Sequence, residues 1–165
     1  MKWPDDFINK VHNADCLEFM KGIPDKSVDL VLTDPPYGIS AEKGTSGFGA
    51  SQNRRYEQDD WDSEVPSKEY FDQMLRVGKV VIIFGGNCFS DRLPVSKHWI
   101  VWDKKGDMPF DNPFSDCELA WTSIAKKPIK KYTVIQQGFV SKEKTRWHPT
   151  QKPVQLFASI IQDYL

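Results

Sequence analysis

The sequence predicts an α/β protein with a Rossmann-like, mostly parallel sheet and flanking helices. Two apolar runs, SVDLVLT at 27–33 and GKVVIIFGG at 78–86, have the near-continuous pattern of strands buried on both faces. Segments with helical periodicity alternate with such strands, as they do when helices cover a parallel sheet. Since ligands bind beyond the carboxyl ends of the strands in such folds, we look for a site there.

Two more strands and three helices complete the prediction. The strands are HWIVWDK at 98–104 and CELAWTSI at 117–124. The first helix, 14–23, has Asp15 in the position of an N-cap and spaces Leu17, Met20 and Ile23 three residues apart. The second, 67–77, starts at Ser67 and gathers an apolar side from Tyr70, Phe71, Met74 and Val77. The third, 153–165, opens with a first-turn proline, and its predicted apolar stripe comprises Val154, Phe157, Ile161 and Tyr164.

Length and composition favour a single catalytic domain over residues 1–165 in a reducing compartment. The chain has 165 residues, and no apolar stretch approaches the length of a membrane helix or the core of a signal peptide. Its three cysteines are odd in number and widely spaced, which argues against a disulfide framework and against a zinc site. We therefore expect a cytoplasmic protein without a metal and without a membrane partner.

Charge is distributed unevenly along the chain. Residues 1–66 carry 7 Lys/Arg and 13 Asp/Glu, a balance of −6, whereas residues 126–152 carry 8 Lys/Arg and only Glu143, a balance of +7. A basic segment of this kind suits phosphate groups. From charge alone, a solvated lysine-rich loop is the favoured interpretation.

The stretch TDPPYG at 33–38 carries the chemistry, because it directly follows the first predicted strand. Asp34 offers an anionic acceptor, and Pro35 offers a carbonyl without an N–H beside it. Pro36 stiffens the turn and Tyr37 supplies a flat ring. Together they suit a planar molecule with an NH2 group, whose two N–H bonds would point at the carboxylate and the carbonyl. Two acceptors outside the ring plane return the lone pair to the nitrogen and orient it towards an electrophilic methyl group. A base in a duplex must be flipped out to reach such a site.

VDLVLTDPPYG, together with RWHPTQKP at 146–153, resembles the S-adenosylmethionine-dependent DNA amino-methyltransferases. The catalytic motif comes first and HPTQKP comes late, which is the order of the circularly permuted β class of bacteria and their phages. The resemblance covers most of residues 11–165. It implies methylation of the exocyclic amine of adenine in double-stranded DNA, with S-adenosylmethionine as the methyl donor, in a bacterial or phage-infected cell. It also connects the chain with restriction-modification systems.

The resemblance assigns roles by position. The catalytic turn is Asp34, Pro35, Pro36 and Tyr37. The cofactor-binding residues that it implies are Asp15, Cys16, Asp34, His148, Thr150, Gln151 and Lys152. Three of these have a simpler alternative: Cys16 as a small buried side chain, His148 as a helix-entry residue, and Lys152 as a solvated cation.

The sequence departs from the family at its C-terminal end. The family continues past HPTQKP and its helix into another strand and a glycine-rich F-x-G-x-G loop around the methionine part of the cofactor, and no such loop occurs here. We therefore expect a C-terminally truncated domain whose sheet lacks a central strand. Completion by another chain and a rearranged, non-catalytic protein are the alternatives.

Target recognition is expected in a short basic insert around 122–146. The candidate DNA contacts in this insert are Lys126, Lys127, Lys130, Lys131 and Arg146. Arg54 and Arg55 lie in a polar loop at 40–60 that we expect to be mobile and to close over a flipped base. So short an insert indicates a short recognition sequence or a homodimer that divides the duplex.

Three other functions compete with adenine methylation. DPPY usually accompanies adenine in the family, but N4-cytosine methylation uses the same amine chemistry. A DNA-binding remnant or partner subunit would follow from the absent glycine loop. An enzyme that methylates RNA or a protein glutamine amide would also use Pro-Pro-Tyr, but it usually places the glycine loop first and lacks HPTQKP.

Overall fold

The structure is a computed structural model that describes residues 2–40, 60–109, 115–137, 140–141, 148 and 150–165. Its helices are α1 (Cys16–Met20), α2 (Lys68–Val77) and α3 (Val154–Tyr164), with a 3-10 turn at Gly86–Phe89. Its strands are β1 (Val28–Thr33), β2 (Gly78–Phe84), β3 (Trp99–Asp103), β4 (Cys117–Thr122), β5 (Lys130–Thr133), β6 (Gln136–Gln137) and β7 (Val140–Ser141). All three predicted helices and all four predicted strands are present, but α1 has only five of the ten residues predicted for it, whereas the other elements are slightly shorter than predicted.

The main sheet has the order β1-β2-β4-β3-β5 and is mixed, so the prediction of a mostly parallel sheet holds only in part. β1 is parallel to β2, and β3 is parallel to β5. β4 is antiparallel to both of its neighbours. The β1–β2 connection contains α2 and makes the crossover that a parallel pair requires. β3 is followed along the chain by β4, which is its antiparallel neighbour. Two residues each of β6 and β7 form a separate antiparallel pair.

The sheet is covered on both faces around β2. Val81 and Ile83 pack with α1, α2 and the 3-10 turn, whereas Ile82 and Phe84 pack with α3 on the opposite face. All four are fully buried, as predicted for a strand with apolar neighbours on both sides.

The prediction that β1 is buried on both faces holds only in part: Val31 packs against one core cluster and Leu30 and Leu32 against the other, but the apolar residues of the strand are only half-buried. β1 lies at one edge of the described sheet and pairs with β2 alone. An edge strand has a neighbouring strand on one side only and is less shielded from solvent than a central strand. Its apolar composition alone therefore overstated its burial.

The residue that precedes each helix is the one from which the sequence predicted its start. The Asp15 carboxylate caps α1 by accepting hydrogen bonds from the N–H groups of Leu17 and Glu18 at 2.8 and 3.1 Å. Ser67 occupies the N-cap position of α2 without a side-chain cap bond, and Pro153 is the N-cap residue of α3.

The apolar stripe predicted for α3 is partly wrong. Leu156 and Ile160 are its buried residues, Phe157 and Tyr164 pack at the side, and Val154 and Ile161 are exposed. α3 is apolar on several sides, so periodicity could not determine which side faces the sheet.

Part of the predicted recognition insert belongs to the sheet. Lys130–Thr133 form β5, which pairs with β3 at the edge opposite β1. Within the described part of the chain, no helix is long and apolar enough to cross a membrane.

Candidate active site

The Asp-Pro-Pro-Tyr turn begins where β1 ends, at the carboxyl edge of the parallel pair. The Asp34 side chain is 26% exposed, Pro35 is buried and Pro36 is half-buried. Nothing in the described part of the chain donates a hydrogen bond to the Pro35 carbonyl. The turn therefore presents a partly accessible carboxylate at the end of a strand.

A buried aspartate, Asp62, holds the backbone of this turn. One of its oxygens accepts hydrogen bonds from the N–H groups of Tyr37 and Gly38 at 2.5 and 3.0 Å. Asp62 is only 2% exposed, and its backbone carbonyl accepts from the N–H of Ser40 at 2.9 Å. Charge-assisted bonds to two successive amides fix the path of the chain after the prolines. The sequence analysis did not single out Asp62, because nothing in its local sequence points at a turn 25 residues away.

Tyr37 is packed inward and hydrogen-bonded to the acid of its own motif. Its hydroxyl donates to Asp34 Oδ1 at 2.6 Å. Its ring meets Phe89 edge-on at 6.0 Å and lies against Gly85, where an added Cβ would come within 2.3 Å of the tyrosine Cε1. Burial, together with the charges of Asp34 and Glu118, raises the pKa of Tyr37 far above its usual value, so the hydroxyl is a proton donor at neutral pH.

Lys152 connects the late motif with the early one. Its side chain is 8% exposed, and its ammonium group lies 2.8 Å from Asp34 Oδ2 and 3.1 Å from Glu118 Oε2. The ammonium also lies over the rings of Tyr37, Phe84 and Trp102, at 5.3 to 5.9 Å from their centroids. The interpretation of Lys152 as a solvated cation is therefore wrong.

Glu118, in β4, completes the cluster. Its Oε1 pairs with Lys104 at 3.0 Å, and the Tyr37 hydroxyl lies 3.5 Å from Oε2. Burial alone would raise the pKa of Glu118, but the positive charges and hydrogen bonds of Lys152 and Lys104 outweigh it and hold that pKa below its usual value.

The sequence analysis missed Glu118 and Lys104. The available signal for Glu118 was an acid inside the apolar strand CELAW, since a charge in such a strand requires partners.

The structure brings only some of the predicted cofactor residues into contact. Asp34 and Lys152 meet directly, whereas His148 contacts Thr150 through its Nδ1 at 3.1 Å and the ring of Trp61 at 4.8 Å. The backbone N–H of Gln151 donates to the His148 carbonyl at 3.2 Å.

Asp15 and Cys16 lie at the start of α1. The second Asp15 oxygen accepts from the Tyr70 hydroxyl at 3.2 Å, and the hydrogen bonds to Asp15, led by that from the Glu18 amide, lower its pKa. Cys16 is exposed, so the alternative of a small buried side chain is wrong.

The predicted DNA-binding lysines do not form one patch. Lys126 and Lys127 are exposed in the loop before β5, and the Lys127 ammonium lies over the ring of Tyr164 at 4.7 Å. Within β5, Lys130 pairs with Asp163 of α3, whereas Lys131 pairs with Asp103 at 3.2 Å. Successive residues of a strand point to opposite faces, so these two lysines diverge. Arg54, Arg55 and Arg146 lie outside the described residues, as does most of the loop at 40–60.

Two further observations concern a separate cavity and possible metal ligands. A cavity of about 400 Å³ between the loop before β5 and the end of α3 contains none of the Asp-Pro-Pro-Tyr residues. Its lining includes His98, Lys127 and Tyr164. Among the described residues, no group of three or more His, Cys, Asp or Glu side chains is arranged to hold a metal ion.

Together these observations define a mixed α/β protein whose strand-end acid is held in a buried cluster of charges. Its sequence is similar to those of type II methyltransferases. The chain is 27% identical to the type II methyltransferase M.BamHI of Bacillus amyloliquefaciens over 119 residues, which cover 64% of the chain and 26% of that protein. It is 29% identical to M1.MboII of Moraxella bovis over 119 residues, covering 61% of the chain and 39% of the relative.

A third relative aligns with nearly the whole chain. M2.MboI of Moraxella bovis, also named a type II methyltransferase, is 24% identical over an alignment that is 196 positions long with its gaps and covers 95% of the chain and 71% of that protein. No protein-family model matches the chain. These similarities support a relationship to the type II methyltransferases, and the chain spans well under half of the length of M.BamHI and M1.MboII.

Proposed function

We propose that the protein methylates the exocyclic amine of adenine in double-stranded DNA, with S-adenosylmethionine as the methyl donor. The observation that carries this proposal is the position of Asp34. Its carboxylate stands at the carboxyl end of β1, partly exposed, and a buried ammonium group fixes it from behind. The similarity to type II methyltransferases supports the same reaction class.

The turn can activate an amine by position. Asp34 accepts one N–H of the substrate amine, and the Pro35 carbonyl, to which no described residue donates a hydrogen bond, accepts the other. These contacts favour a tetrahedral nitrogen with a localised lone pair, which forms the new N–C bond while the C–S bond of the donor breaks. The nitrogen then loses a proton to Asp34 or to water. Tyr37 orients the carboxylate through its hydroxyl and offers the nearest aromatic ring to the base.

The chemistry of the residues present fits the methyl donor. S-adenosylmethionine supplies a methyl group on a positively charged sulfur, and the partly exposed Asp34 carboxylate suits a neighbouring cation. Asp15 would hold the adenosine end, where the Tyr70 hydroxyl now occupies one of its oxygens at 3.2 Å. His148, Thr150 and Gln151 would flank the methionine end.

The DNA side of the proposal requires a flipped base. A base stacked in a duplex cannot place its amine between Asp34 and Pro35, so the target nucleotide must leave the helix. Lys126 and Lys127, in the exposed loop before β5, are available to contact phosphates. The permuted order of motifs and the C-terminal truncation stay predictions.

Transfer of tritium from labelled S-adenosylmethionine to duplex DNA tests the proposal. The assay should use this chain and, in parallel, a version extended through a glycine-rich F-x-G-x-G loop, with Asp34→Ala as the matched inactive variant, followed by nucleoside chromatography. Label in N6-methyladenine is the expected result, and label in N4-methylcytosine would correct the base. Absence of transfer by both proteins, combined with salt-dependent DNA binding and no heat of binding for the donor, would contradict catalysis and identify a DNA-binding remnant.

A further inference from the structure

Glu118 is the charged residue on which the site converges, although it belongs to neither motif. Three donors from three parts of the chain surround its carboxylate: Lys104 at 3.0 Å, Lys152 at 3.1 Å and the Tyr37 hydroxyl at 3.5 Å. It lies opposite Trp102 of β3 and is 22% exposed. Burial of a carboxylate costs desolvation free energy, which an apolar side chain at the same position of β4 would avoid.

Charges alternate in sign along the cluster. The order is Lys104, Glu118, Lys152 and Asp34, with contacts of 3.0, 3.1 and 2.8 Å between successive groups. Asp34 is the accessible end of this series. The Lys152 ammonium therefore contacts two carboxylates at similar distances, and Glu118 fixes it from a strand, β4, that does not carry Asp34.

Tyr37 lies between the two acids. Its hydroxyl now donates to Asp34 Oδ1 at 2.6 Å, whereas Lys152 pairs with Oδ2 and also donates to the Tyr37 hydroxyl oxygen at 3.3 Å. A shift of about 1 Å would bring the same hydroxyl to a normal hydrogen-bond distance from Glu118 Oε2. If a substrate amine donates to Asp34 Oδ1 and displaces the Tyr37 hydroxyl, this hydroxyl can donate to Glu118 Oε2 instead.

We propose that Glu118 is a positioning residue of the methyl-transfer site. It holds the Lys152 ammonium against Asp34, and it receives the Tyr37 hydroxyl when the substrate amine replaces that hydroxyl on Asp34. This inference rests on the proposed function, because it gives Glu118 a role in the same reaction.

The role requires Glu118 to be ionised. The charges of Lys152 and Lys104 keep its pKa below the usual value against the effect of burial, so Glu118 remains a carboxylate until the solution is well below neutral pH. The titratable and charged groups that face this cluster from the surrounding elements are Asp34, Tyr37, Asp62, Cys88, Lys104 and Lys152.

Lys104 offers a way to change the charge of Glu118 without touching Asp34. It contacts Glu118 Oε1, whereas its neighbour Lys105 pairs with Asp116 at 3.4 Å and is the matched control. On the acid side of the pH profile of kcat, called its acid limb here, kcat falls as the pH is lowered. In Lys104→Met this limb should move to higher pH by about one unit, because one of the two cations that stabilise the Glu118 carboxylate is gone. The limb in Lys105→Met should coincide with that of the wild type. A residue with a purely structural role would not shift this limb.

Glu118→Gln gives the second readout. We expect kcat to fall at least about tenfold while KM for the methyl donor stays unchanged, because the amide keeps the shape of the side chain but loses the charge. Wild-type kcat in Glu118→Gln, or equal acid limbs in the two lysine variants, would overturn the inference. Should Glu118→Gln fail to fold, the two lysine variants decide.

Failure of the proposed function has a different signature. If the wild-type protein transfers no methyl group, adenine methylation fails, and crystal structures of the wild type and Glu118→Gln still test the positioning role. Departure of the Lys152 ammonium from Asp34 in the variant would support it. An unchanged 2.8 Å contact would overturn it.

Discussion

Two clusters in this protein use the same three residue types at opposite edges of the sheet. Beyond β1, Asp34 accepts from the Tyr37 hydroxyl at 2.6 Å and pairs with Lys152. Beside β5, Asp163 accepts from the Tyr132 hydroxyl at 2.6 Å and pairs with Lys130. The difference lies in burial: Lys152 is 8% exposed, whereas Lys130 is 47% exposed.

The second difference is a further acid. Asp163 holds both of its partners on one oxygen and stands alone, whereas Asp34 shares its lysine with Glu118, which Lys104 supports in turn. Beside β5, an exposed lysine and a partly exposed aspartate meet the buried Tyr132 and tie α3 to an edge strand. The same groups, shielded from water and held by one more ion pair, keep a carboxylate in a fixed orientation, as electrostatic catalysis requires. Environment rather than residue type distinguishes the proposed site from a surface contact.

Replacement of the acid in each cluster should show the largest contrast. Asp34→Ala should lower methyl transfer by several orders of magnitude, beyond the roughly 10²–10³-fold typical of losing one preorganised electrostatic contact, because it also removes the amine acceptor. Asp163→Ala should leave the rate nearly unchanged. Tritium transfer to duplex DNA measures both. Thermal unfolding must show that Asp34→Ala stays folded, and global unfolding of this variant would instead give Asp34 a structural role.

Two glycines with positive φ allow a stability comparison, because Gly85 lies against the Tyr37 ring of the cluster beyond β1 and Gly106 does not. An alanine at Gly85 adopts φ +71° and places its Cβ 2.3 Å from the Tyr37 ring, whereas at Gly106, with φ +59°, the nearest atom is 3.4 Å away. Gly106→Ala should cost about 1–2 kcal/mol of backbone strain. Gly85→Ala should cost about 1–3 kcal/mol more, because the ring must move.

Chemical unfolding of the two glycine variants measures this difference. Equal losses of unfolding free energy would mean that the Tyr37 ring yields without cost, and the packing of this ring would then not hold the cluster beyond β1 rigid.

The parts of this comparison that the sequence could predict are those encoded locally. Asp15 as an N-cap, the buried run of β2 and the Asp-Pro-Pro-Tyr turn at the end of β1 each follow from a short stretch of sequence. The approach of Lys152 to Asp34 joins residues 118 positions apart, and Asp62 reaches Tyr37 across 25 positions. Such contacts depend on how β4 and α3 pack, which periodicity does not determine.

The direction of β4 and the surroundings of the lysines in β5 could not be predicted from the sequence for the same reason. β4 has the apolar composition of a parallel core strand, yet it inserts antiparallel between β2 and β3. Lys130 and Lys131 are adjacent in a basic segment, yet β5 directs them to different aspartates.

The pH dependence of the free energy of unfolding should show a smaller effect, which comes from Glu118 in the buried cluster. The folded-state pKa of Glu118 is lowered, so its contribution to the free energy of unfolding is present above its unfolded pKa of about 4.3. That contribution is lost as the pH falls through the lower folded value. Urea unfolding between neutral pH and about pH 3 should therefore show a weaker pH dependence for Glu118→Gln than for the wild type. Identical slopes would mean that Glu118 is not ionised in the folded protein.

The salt dependence of DNA binding should give the smallest effect, and it concerns the surface lysines alone. Lys126 and Lys127 pair with no carboxylate among the described residues, whereas Lys130 and Lys131 are paired with Asp163 and Asp103. Replacement of Lys126 and Lys127 by alanine should reduce the slope of log K against log salt by about 1.8, or 0.9 for each phosphate contact. The same change at Lys130 and Lys131 should reduce it by less, because their charges are already partly neutralised. Equal reductions in the two double variants would mean that the ion pairs of β5 open on DNA, and the edge of the sheet beside β5 would then belong to the DNA-binding surface.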